Sequence, residues 1–340
     1  MLFAATSLDI SPTKPIPLSG WSHRTSDFSN IKLGLEANIL IHDQNNTLYI
    51  IISIDCLFIS SELKRVIKDK LSEHNLSYKA YDILLLASHT HFAPCLDKTK
   101  PELGKADNTY IEQTFNKVAD SCIKLIQKGF TNGSLQYHKG NYKKVINRRR
   151  KVYSYRKNIF KWKQKMNVGP NILGPKDTTI HLIKFFDDNK NCICVFWSFA
   201  CHPVNEPDLS SLSSEYIGHV RKHIRTSLND NIPVIFAQGF AGNIRASLNP
   251  ELDSFTSKLR TLIKLPDEFK HTKSDYEAWQ SKLLSAIDKT LTSDKINIQD
   301  KPISNIEINI AIEDLINNYK GPIKDLKLQK WQLGGVLLIC

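Results

Sequence analysis

The sequence predicts an α/β protein of mixed β-sheets flanked by helices, with two halves that repeat the order β-β-α-β. Two observations lead to this prediction. Apolar runs of strand length alternate with amphipathic segments of helical period, and the same order of elements occurs twice. The chain has 340 residues, of which 41% are hydrophobic, so it can bury a large core. We therefore expect one domain over residues 1–340.

The first half is predicted between residues 37 and 91. Two strands, a helix and a third strand follow one another at 37–43, 47–55, 61–73 and 81–91. The helix is assigned because Leu63, Val66, Ile67 and Leu71 recur at a spacing of three or four residues and form one apolar stripe. A longer helix at 109–128 and a strand-like segment at 134–140 come next.

The second half repeats this order. Its two strands, helix and third strand are predicted at 179–186, 191–201, 216–228 and 233–239. The intervening segment 141–178 reads as irregular and basic. After the second half we expect a helix at 273–292, a β-like stretch at 303–313 and a last apolar strand at 330–340.

Hydropathy and cysteine content indicate a cytoplasmic protein. The mean hydropathy is −0.29, and no run of 18 apolar residues occurs that would span a bilayer. The N-terminus lacks a basic region and is interrupted by Asp9 and two prolines, unlike a signal peptide. The seven cysteines lie mostly in apolar runs and are odd in number, which favours reduced core thiols. Cys192 and Cys194 lack a second cysteine pair, which disfavours a structural zinc knuckle.

The net charge of +12 is compatible with an anionic partner. Lysines are nevertheless spread over nearly every segment, so most of the charge does not indicate a particular binding partner. The one dense run begins at 147–151 (NRRRK) and continues through Arg156, Lys161, Lys163 and Lys165, with aromatic residues between them. A solvated basic loop is favoured over a nucleic-acid site. Contact with anionic headgroups of a membrane surface is the remaining alternative.

Candidate metal-binding histidines follow two of the predicted strands. His89 and His91 lie in 88–94 (SHTHFAP), and residues two apart on a strand share one face. His202 lies in 199–203 (FACHP), where Pro203 ends another apolar strand. Strand ends at one edge of a sheet form ligand sites, and three imidazoles are typical ligands of catalytic zinc. Taken singly, each histidine is also compatible with an ordinary surface or hydrogen-bonded core residue.

A third polar segment, 236–245 (FAQGFAGNIR), is a buried strand that opens into a glycine-containing turn. Its free N–H groups and the Asn243 amide are suited to bind an oxyanion, although an ordinary strand-to-loop turn explains the pattern equally well. A serine nucleophile is disfavoured because no G-x-S-x-G motif occurs, and 213–216 (SSEY) is typical of a helix N-terminus.

Taken together and in order, these motifs resemble the N-terminal catalytic domain of the neutral/alkaline, non-lysosomal ceramidases and their shorter bacterial relatives. The matching segments are 7–12 (SLDISP) with Gly20, 35–55 ending in Asp55, 88–94, 147–149, 199–203, 214–218 and 236–243. They span most of the chain. The resemblance implies a zinc-dependent amidohydrolase that cleaves the N-acyl bond of ceramide.

The resemblance also implies roles for individual residues. His89 and His202 would be zinc ligands, His91 would stand beside the substrate, and Arg148 would bind or polarise it. A zinc ion would activate water and polarise the amide carbonyl, and a neighbouring imidazole would carry the proton. We further expect Arg148 to point into the cleft and its neighbours at 149–151 to face solvent, because burying four adjacent cations costs too much.

The sequence departs from the family pattern at two places. Larger ceramidases have Ser-Pro-Asn where this chain has Arg245, Ala246 and Ser247. This difference favours a zinc-activated water over a serine as the nucleophile. It is also compatible with a different amide or ester substrate. In the family, a strand like 327–339 leads into a glutamate zinc ligand, whereas the sequence given ends at Cys340. We therefore expect an incomplete C-terminus, weak zinc binding and low activity. The alternative is a degenerate member that binds lipid or protein without catalysis.

Overall fold

The computed structural model describes residues 1–296, except 22–23, 25, 77, 157–160, 229–230 and 249–270, and for 150–167 it gives the backbone alone. In chain order the strands are β1 (Leu2–Asp9), β2 (Asn30–Leu33), β3 (Glu36–Gln44), β4 (Thr47–Ile54), β5 (Ala80–Ala87), β6 (Thr131–Asn141), β7 (Val145–Arg156), β8 (Lys161–Asn171), β9 (Thr179–Asp187), β10 (Cys192–Phe199), β11 (Ser211–Ser213), β12 (Val234–Gln238) and β13 (Ile244–Ala246). The α-helices are α1 (Glu62–Glu73), α2 (Asn108–Lys128), α3 (Glu215–Leu228) and α4 (Lys273–Leu291).

Eight of these strands form one mixed sheet whose order shows the predicted duplication. The order is β12-β10-β9-β6-β1-β3-β4-β5. In the first half, β1, β3 and β4 are antiparallel, and α1 leads across to β5, which pairs with β4 in parallel. In the second half, β6, β9 and β10 are antiparallel, and α3 leads across to β12, which pairs with β10 in parallel. The predicted α/β class and the two β-β-α-β halves are confirmed.

The two half-sheets pack face to face. They are joined by only two residue pairs between β1 and β6, Leu2 with Asn132 and Phe3 with Thr131, so the sheet can bend sharply there. As a result, β12 contacts β3, β4 and β5 of the other half. The Ser53 hydroxyl donates to the Phe236 carbonyl (2.8 Å) and accepts from the Phe236 N–H (3.2 Å). The arrangement is a four-layer sandwich of helices, two half-sheets and helices.

Strand alternation divides the apolar side chains among three cores. In β3, Ile39 and Ile41 pack toward α1 and α2, whereas Leu40 faces the other half-sheet. In β10, Trp197 packs toward α3 and α4, whereas Phe196 faces the first half. Because successive side chains of a strand point to opposite faces, strands buried on both sides must be apolar throughout. This is why the sequence shows continuous apolar runs here.

The helices and strands that were predicted match the structure closely, with two exceptions, whereas β1, β2, β11 and β13 were not predicted. The strand predicted at 81–91 ends at Ala87, so the histidines after it lie in a turn. The segment 141–178 is wrongly described as irregular, because it contains β7 and β8, which pair as a long antiparallel hairpin. The stretches predicted at 303–313 and 330–340 lie outside the described residues.

Two further sequence-based expectations concern the thiols and membrane insertion. Six cysteines are described, at 56, 95, 122, 192, 194 and 201; all six are without a disulfide and five are buried. This agrees with reduced core thiols. No helix in the described part of the chain has both the length and the apolar character needed to cross a bilayer.

Candidate metal centre

His89 and His91 are positioned by the turn that follows β5. The backbone N–H of Ser88 still donates to the Ile54 carbonyl (2.9 Å) of β4, but His89 adopts φ +65°. A left-handed conformation is unfavourable for a side chain with a Cβ and persists only where surrounding contacts impose it. The N–H of His91 donates to the Pro203 carbonyl (3.2 Å), which ties this turn to the one after β10.

His202 follows β10, and its N–H donates to the Ile244 carbonyl (2.9 Å) of β13. The ring centroids of His89 and His202 are 4.8 Å apart, and those of His91 and His202 are 5.0 Å apart. One nitrogen from each of the three imidazoles lies within 4.8 Å of the others. The expectation that His89 and His202 converge to within about 7 Å, the reach of one zinc ion, is confirmed.

Backbone carbonyls fix the orientation of all three rings. Nδ1 of His89 lies 3.0 Å from the Leu57 carbonyl, Nδ1 of His91 lies 2.9 Å from the Gly20 carbonyl, and Nδ1 of His202 lies 3.3 Å from the Ala241 carbonyl. A carbonyl only accepts, so each Nδ1 carries the proton and each Nε2 carries a lone pair. This is the tautomer and the outer hydrogen-bonding pattern that metal-ligating histidines use.

The Nε2 atoms of His91 and His202 are only 3.0 Å apart. Two lone pairs at that distance repel unless a proton or a cation lies between them. A proton is disfavoured, because burial lowers the pKa of His89 to about 4 and lowers those of His91 and His202 well below their ordinary value. The three neutral imidazoles therefore fit a divalent metal that prefers nitrogen ligands, such as zinc.

Arg148 supplies positive charge beside the three rings. Its N–H donates to the Asn243 carbonyl (2.7 Å), and its Nε donates to the Gly242 carbonyl (3.0 Å). The charge of Arg148 contributes to the lowered pKa of each of the three histidines. Burial lowers the pKa of Arg148 itself to about 10, and the cations of Arg245 and Arg149 add to this effect. Arg148 is half-buried and Arg149 is exposed. The side chains at 150 and 151 lie outside the described part, so the expected division between Arg148 and its neighbours stays a prediction.

Comparison with models of known protein families assigns the chain to one of them. The model of the neutral/alkaline non-lysosomal ceramidase family, N-terminal part, matches residues 9–235, which is more than half of the chain. The chain belongs to this family. No sequence among curated proteins matches it.

Two solved ceramidase structures resemble the fold of this family member. The neutral ceramidase from Pseudomonas aeruginosa is 16% identical, with a TM-score of 0.62 over 85% of this chain and 44% of that protein. A structure described as ceramidase complexed with C2 is also 16% identical, with a TM-score of 0.60 over 85% of this chain and 43% of the other. The chain thus spans less than half the length of either solved ceramidase.

The contacts of Asn243 and Ser247 in this ceramidase-family chain are with residues other than the three histidines. Asn243 is exposed, and its side-chain oxygen accepts from Nε of Arg149 (3.0 Å). Its carbonyl holds Arg148 in place, so the structure brings it next to the arginines. Ser247 lies beyond the opposite end of β13, where its N–H donates to the Lys144 carbonyl (3.0 Å). The departure at 245–247 therefore places no serine at the imidazoles.

Sequence analysis missed the loop that supports His91 from the N-terminal side. Arg24 donates from Nη1 to the His91 carbonyl (2.8 Å) and lies over the Trp21 ring at 4.4 Å. Trp21 in turn contacts the His91 ring edge-on, with centroids 4.9 Å apart. A Cβ added at Gly20 would lie 2.6 Å from Nδ1 of His91. A lone glycine followed by tryptophan gives no periodic signal, so only the resemblance pointed to Gly20.

Two buried ionic groups, to which sequence analysis assigned no role in the site, lie after β4 and at the start of α3. Glu215 begins α3 at φ +59°, and its carboxylate accepts from the N–H groups of Asn205 (2.6 Å) and Tyr216 (2.7 Å). Burial raises its pKa to about 7, although these hydrogen bonds oppose the shift. Asp55, directly after β4, is bonded to Nη2 of Arg221 (2.7 Å). Both groups connect the loops at the strand ends to α3.

Proposed function

We propose that this chain hydrolyses the N-acyl amide of a ceramide-like lipid with the help of a zinc ion. The observation that carries the proposal is the convergence of three neutral imidazoles, each with Nδ1 held by a backbone carbonyl and one nitrogen within 4.8 Å of those of the other two. Membership of the ceramidase family supports the reaction class. A bound zinc ion would supply a Lewis acid that polarises the amide carbonyl and makes water acidic enough to react near neutral pH.

The roles of the residues follow from their positions. His89 and His202 would hold the metal; each follows a strand of the main sheet and is oriented by a backbone carbonyl. His91 stands beside them, within reach of a proton that leaves the attacking water and is needed by the departing amine. Arg148 offers positive charge at the same place, where the amide oxygen becomes negative.

The chain's own contacts make these groups ready before substrate arrives. The carbonyl of Gly20 keeps Nδ1 of His91 protonated, which leaves the lone pair on Nε2. Arg148 is fixed at its backbone and at Nε by the 242–243 turn. Fixed dipoles and charges need no reorganisation during the reaction, which is where most of their catalytic benefit arises.

The test compares turnover and metal content in matched variants. The purified chain is incubated with a fluorescent N-acyl sphingosine, with zinc and after chelation, and the released fatty acid is measured. We expect His202→Ala to lose both zinc and turnover, and His91→Ala to keep most of the zinc while turnover falls at least about 100-fold. His74→Ala, an exposed histidine at the end of α1, is the control.

The outcomes separate the two candidate functions of this family member. Zinc binding and lipid binding without any turnover would favour the alternative of a catalytically degenerate binding module. Loss of zinc in His91→Ala would make His91 a ligand and remove its proposed role in proton transfer. Turnover that survives both chelation and His202→Ala would refute a metal-dependent hydrolase.

A further inference from the structure

The charged residues in the hairpin of β7 and β8 are all positive. Its two strands contain eight arginines and lysines and no aspartate or glutamate. The absence of acidic residues extends over the whole sequence between Asp120 and Asp177. The net charge of the chain is +12, so this short hairpin carries about two thirds of it.

Strand pairing distributes these residues unevenly over the two faces of the hairpin. Paired positions in an antiparallel ladder share a face, and the pairs run from Arg149 with Val168 to Arg156 with Lys161. By backbone register, one face holds positions 150, 152, 154, 156, 161, 163, 165 and 167, and five of these are arginine or lysine. The other face holds positions 149, 151, 153, 155, 162, 164, 166 and 168, of which three are tyrosine or tryptophan and two are arginine or lysine.

The outer part of the hairpin has no partner within the described sheets. β13 pairs with β7 only at residues 145–147, and the remaining pairs of β7 are to β8. Beyond Arg149 the hairpin is therefore a two-stranded ribbon. Such a ribbon is marginal by itself in water, so a surface that covers one of its faces would stabilise it.

The three most exposed large apolar side chains of the described residues flank the base of this hairpin. They are Leu173 at 84% exposure, Phe240 at 68% and Val168 at 54%. Val168 lies opposite Arg149 in the ladder. Leu173 follows the end of β8, and Phe240 lies in the turn whose next residues, 242 and 243, bind Arg148 and Arg149. These exposed apolar groups and the basic ribbon lie in the same part of the chain, which makes it a candidate interaction surface.

We infer that the β7–β8 hairpin docks this protein on an anionic lipid bilayer. Its basic residues are complementary to the negative surface of the bilayer, where each lysine or arginine strengthens binding. Phe240 and Leu173 provide the apolar contact that headgroup attraction alone lacks. A polynucleotide is also negatively charged, but it has few apolar groups for an aliphatic leucine to contact. The basic residues and the exposed apolar side chains together therefore favour a bilayer.

Docking at this place would also put the histidine cluster next to the bilayer. Arg148 belongs to the base of the hairpin and acts electrostatically on all three histidines. The inference does not depend on hydrolysis, because vesicle binding is measured without turnover. A catalytically silent chain would bind vesicles equally well.

The experiment measures partition onto vesicles of phosphatidylcholine with or without about 30% phosphatidylserine, by co-sedimentation at 0.1 M and 0.5 M salt. We expect binding only to the phosphatidylserine vesicles, with strong weakening at the higher salt. The triple variant Lys161→Gln, Lys163→Gln, Lys165→Gln should bind roughly 100-fold more weakly, since each neutralised charge weakens partition about five-fold.

A matched control removes the same charge elsewhere. The variant Lys124→Gln, Lys282→Gln, Lys289→Gln alters three exposed lysines on α2 and α4 and should bind vesicles like the unaltered chain. Equal binding by the two triple variants would overturn the inference. So would equal binding to vesicles with and without phosphatidylserine by the unaltered chain, a result that does not depend on how any variant folds.

A second pair of measurements separates a bilayer from a nucleic acid. The double variant Leu173→Ser, Phe240→Ser should lose about ten-fold or more in vesicle binding, because two apolar side chains no longer leave water. Its affinity for a labelled 20-mer DNA duplex or single-stranded RNA should not change. A chain that binds the duplex more tightly than the vesicles at 0.1 M salt, with vesicle binding insensitive to the double variant, would overturn the inference in favour of a polynucleotide.

Discussion

Replacement of Arg221 by methionine tests the buried ionic contact that joins α3 to the first half-sheet. Arg221 is 4% exposed and Asp55 is 2% exposed. Nη2 of Arg221 lies 2.7 Å from Asp55, and Nη1 lies 3.5 Å from Glu36. The Asp55 carboxylate also accepts the N–H of Glu36 (3.0 Å), so in Arg221→Met that N–H is the only one of these donors that remains.

The expected cost is large because one charge stays buried without its partner. Breaking a buried ion pair from one side costs about 3–5 kcal/mol, against a total stability of about 5–15 kcal/mol for a typical domain. Arg65→Met is the matched control. Arg65 pairs with Glu62 and Asp69, but its side chain is 65% exposed, and an exposed pair contributes about 0–1 kcal/mol.

Acidification should reduce the loss in Arg221→Met. Burial already raises the pKa of Asp55 above its ordinary value of 3.8, and Arg221 opposes that rise. Without Arg221 the pKa of Asp55 in the folded state rises further. Arg221→Met is therefore least destabilised at a pH below the unfolded-state pKa of Asp55, where the carboxyl is protonated in both states. It loses stability as the pH rises through the folded-state pKa of Asp55. The deficit relative to the unaltered chain should therefore be smaller at pH 5 than at pH 7.5.

Urea unfolding followed by tryptophan fluorescence measures these differences. The double variant Asp55→Asn, Arg221→Met should regain a large part of the stability, because the uncompensated charge is gone. A loss below about 1 kcal/mol for Arg221→Met at pH 7.5, or a double variant as unstable as the single one, would refute the reasoning.

Three other substitutions have defined outcomes. Burial raises the pKa of Glu215 to about 7, so its ionised form destabilises the fold as pH rises through 7. The Tm of Glu215→Gln relative to that of the unaltered chain should therefore rise from pH 5 to pH 8. A Tm difference that stays constant over this range would contradict the reasoning. Ser53→Ala leaves a buried N–H and C=O of β12 without their partner and should cost about 1–3 kcal/mol in urea unfolding. Gly20→Ala places a Cβ 2.6 Å from Nδ1 of His91 and should reduce amide turnover at least about ten-fold, whereas Gly169→Ala, where the Cβ meets no atom within 4 Å, should not.

The elements predicted best from sequence are those whose pattern is set by burial. β3, β4, β9 and β10 are buried on both faces, so their apolar runs leave no alternative to a central strand. The duplication also followed from sequence, because each half needs an antiparallel pair and a helical crossover. The face-to-face packing of the halves did not follow, since the polar contacts of Asn38 and Ser53 with β12 join residues about 180 to 200 positions apart.

The β7–β8 hairpin shows why composition alone misled the analysis. Its strands are rich in arginine and lysine, which have low strand propensity, and an apolar run is missing. The alternation that does exist, between cations and aromatic residues, becomes evident only once the pairing of Tyr155 with Trp162 and of Arg156 with Lys161 is known. Strands that lie outside the main sheet, as β7 and β8 do, follow a pattern that core-based prediction does not recognise.

The contacts that bring the histidines together could be predicted neither from apolar patterns nor from composition. The residue types could be chosen from sequence, because histidines after buried strands are few. Their approach depends instead on bonds between the turns themselves: the hydroxyl of Thr90 donates to the Ser213 carbonyl (2.9 Å), and the N–H of Ser213 donates to the Phe92 carbonyl (2.9 Å).

These bonds connect the turn after β5 in one half to the start of α3 in the other, and they offset the left-handed backbone at His89 (φ +65°) and at Glu215 (φ +59°). Neither half holds all three imidazoles, since His89 and His91 belong to the first and His202 to the second. The strain and the buried neutral imidazoles are tolerated only when both halves are packed together. Metal affinity and the stability of the interface between the halves are therefore properties of the same set of contacts.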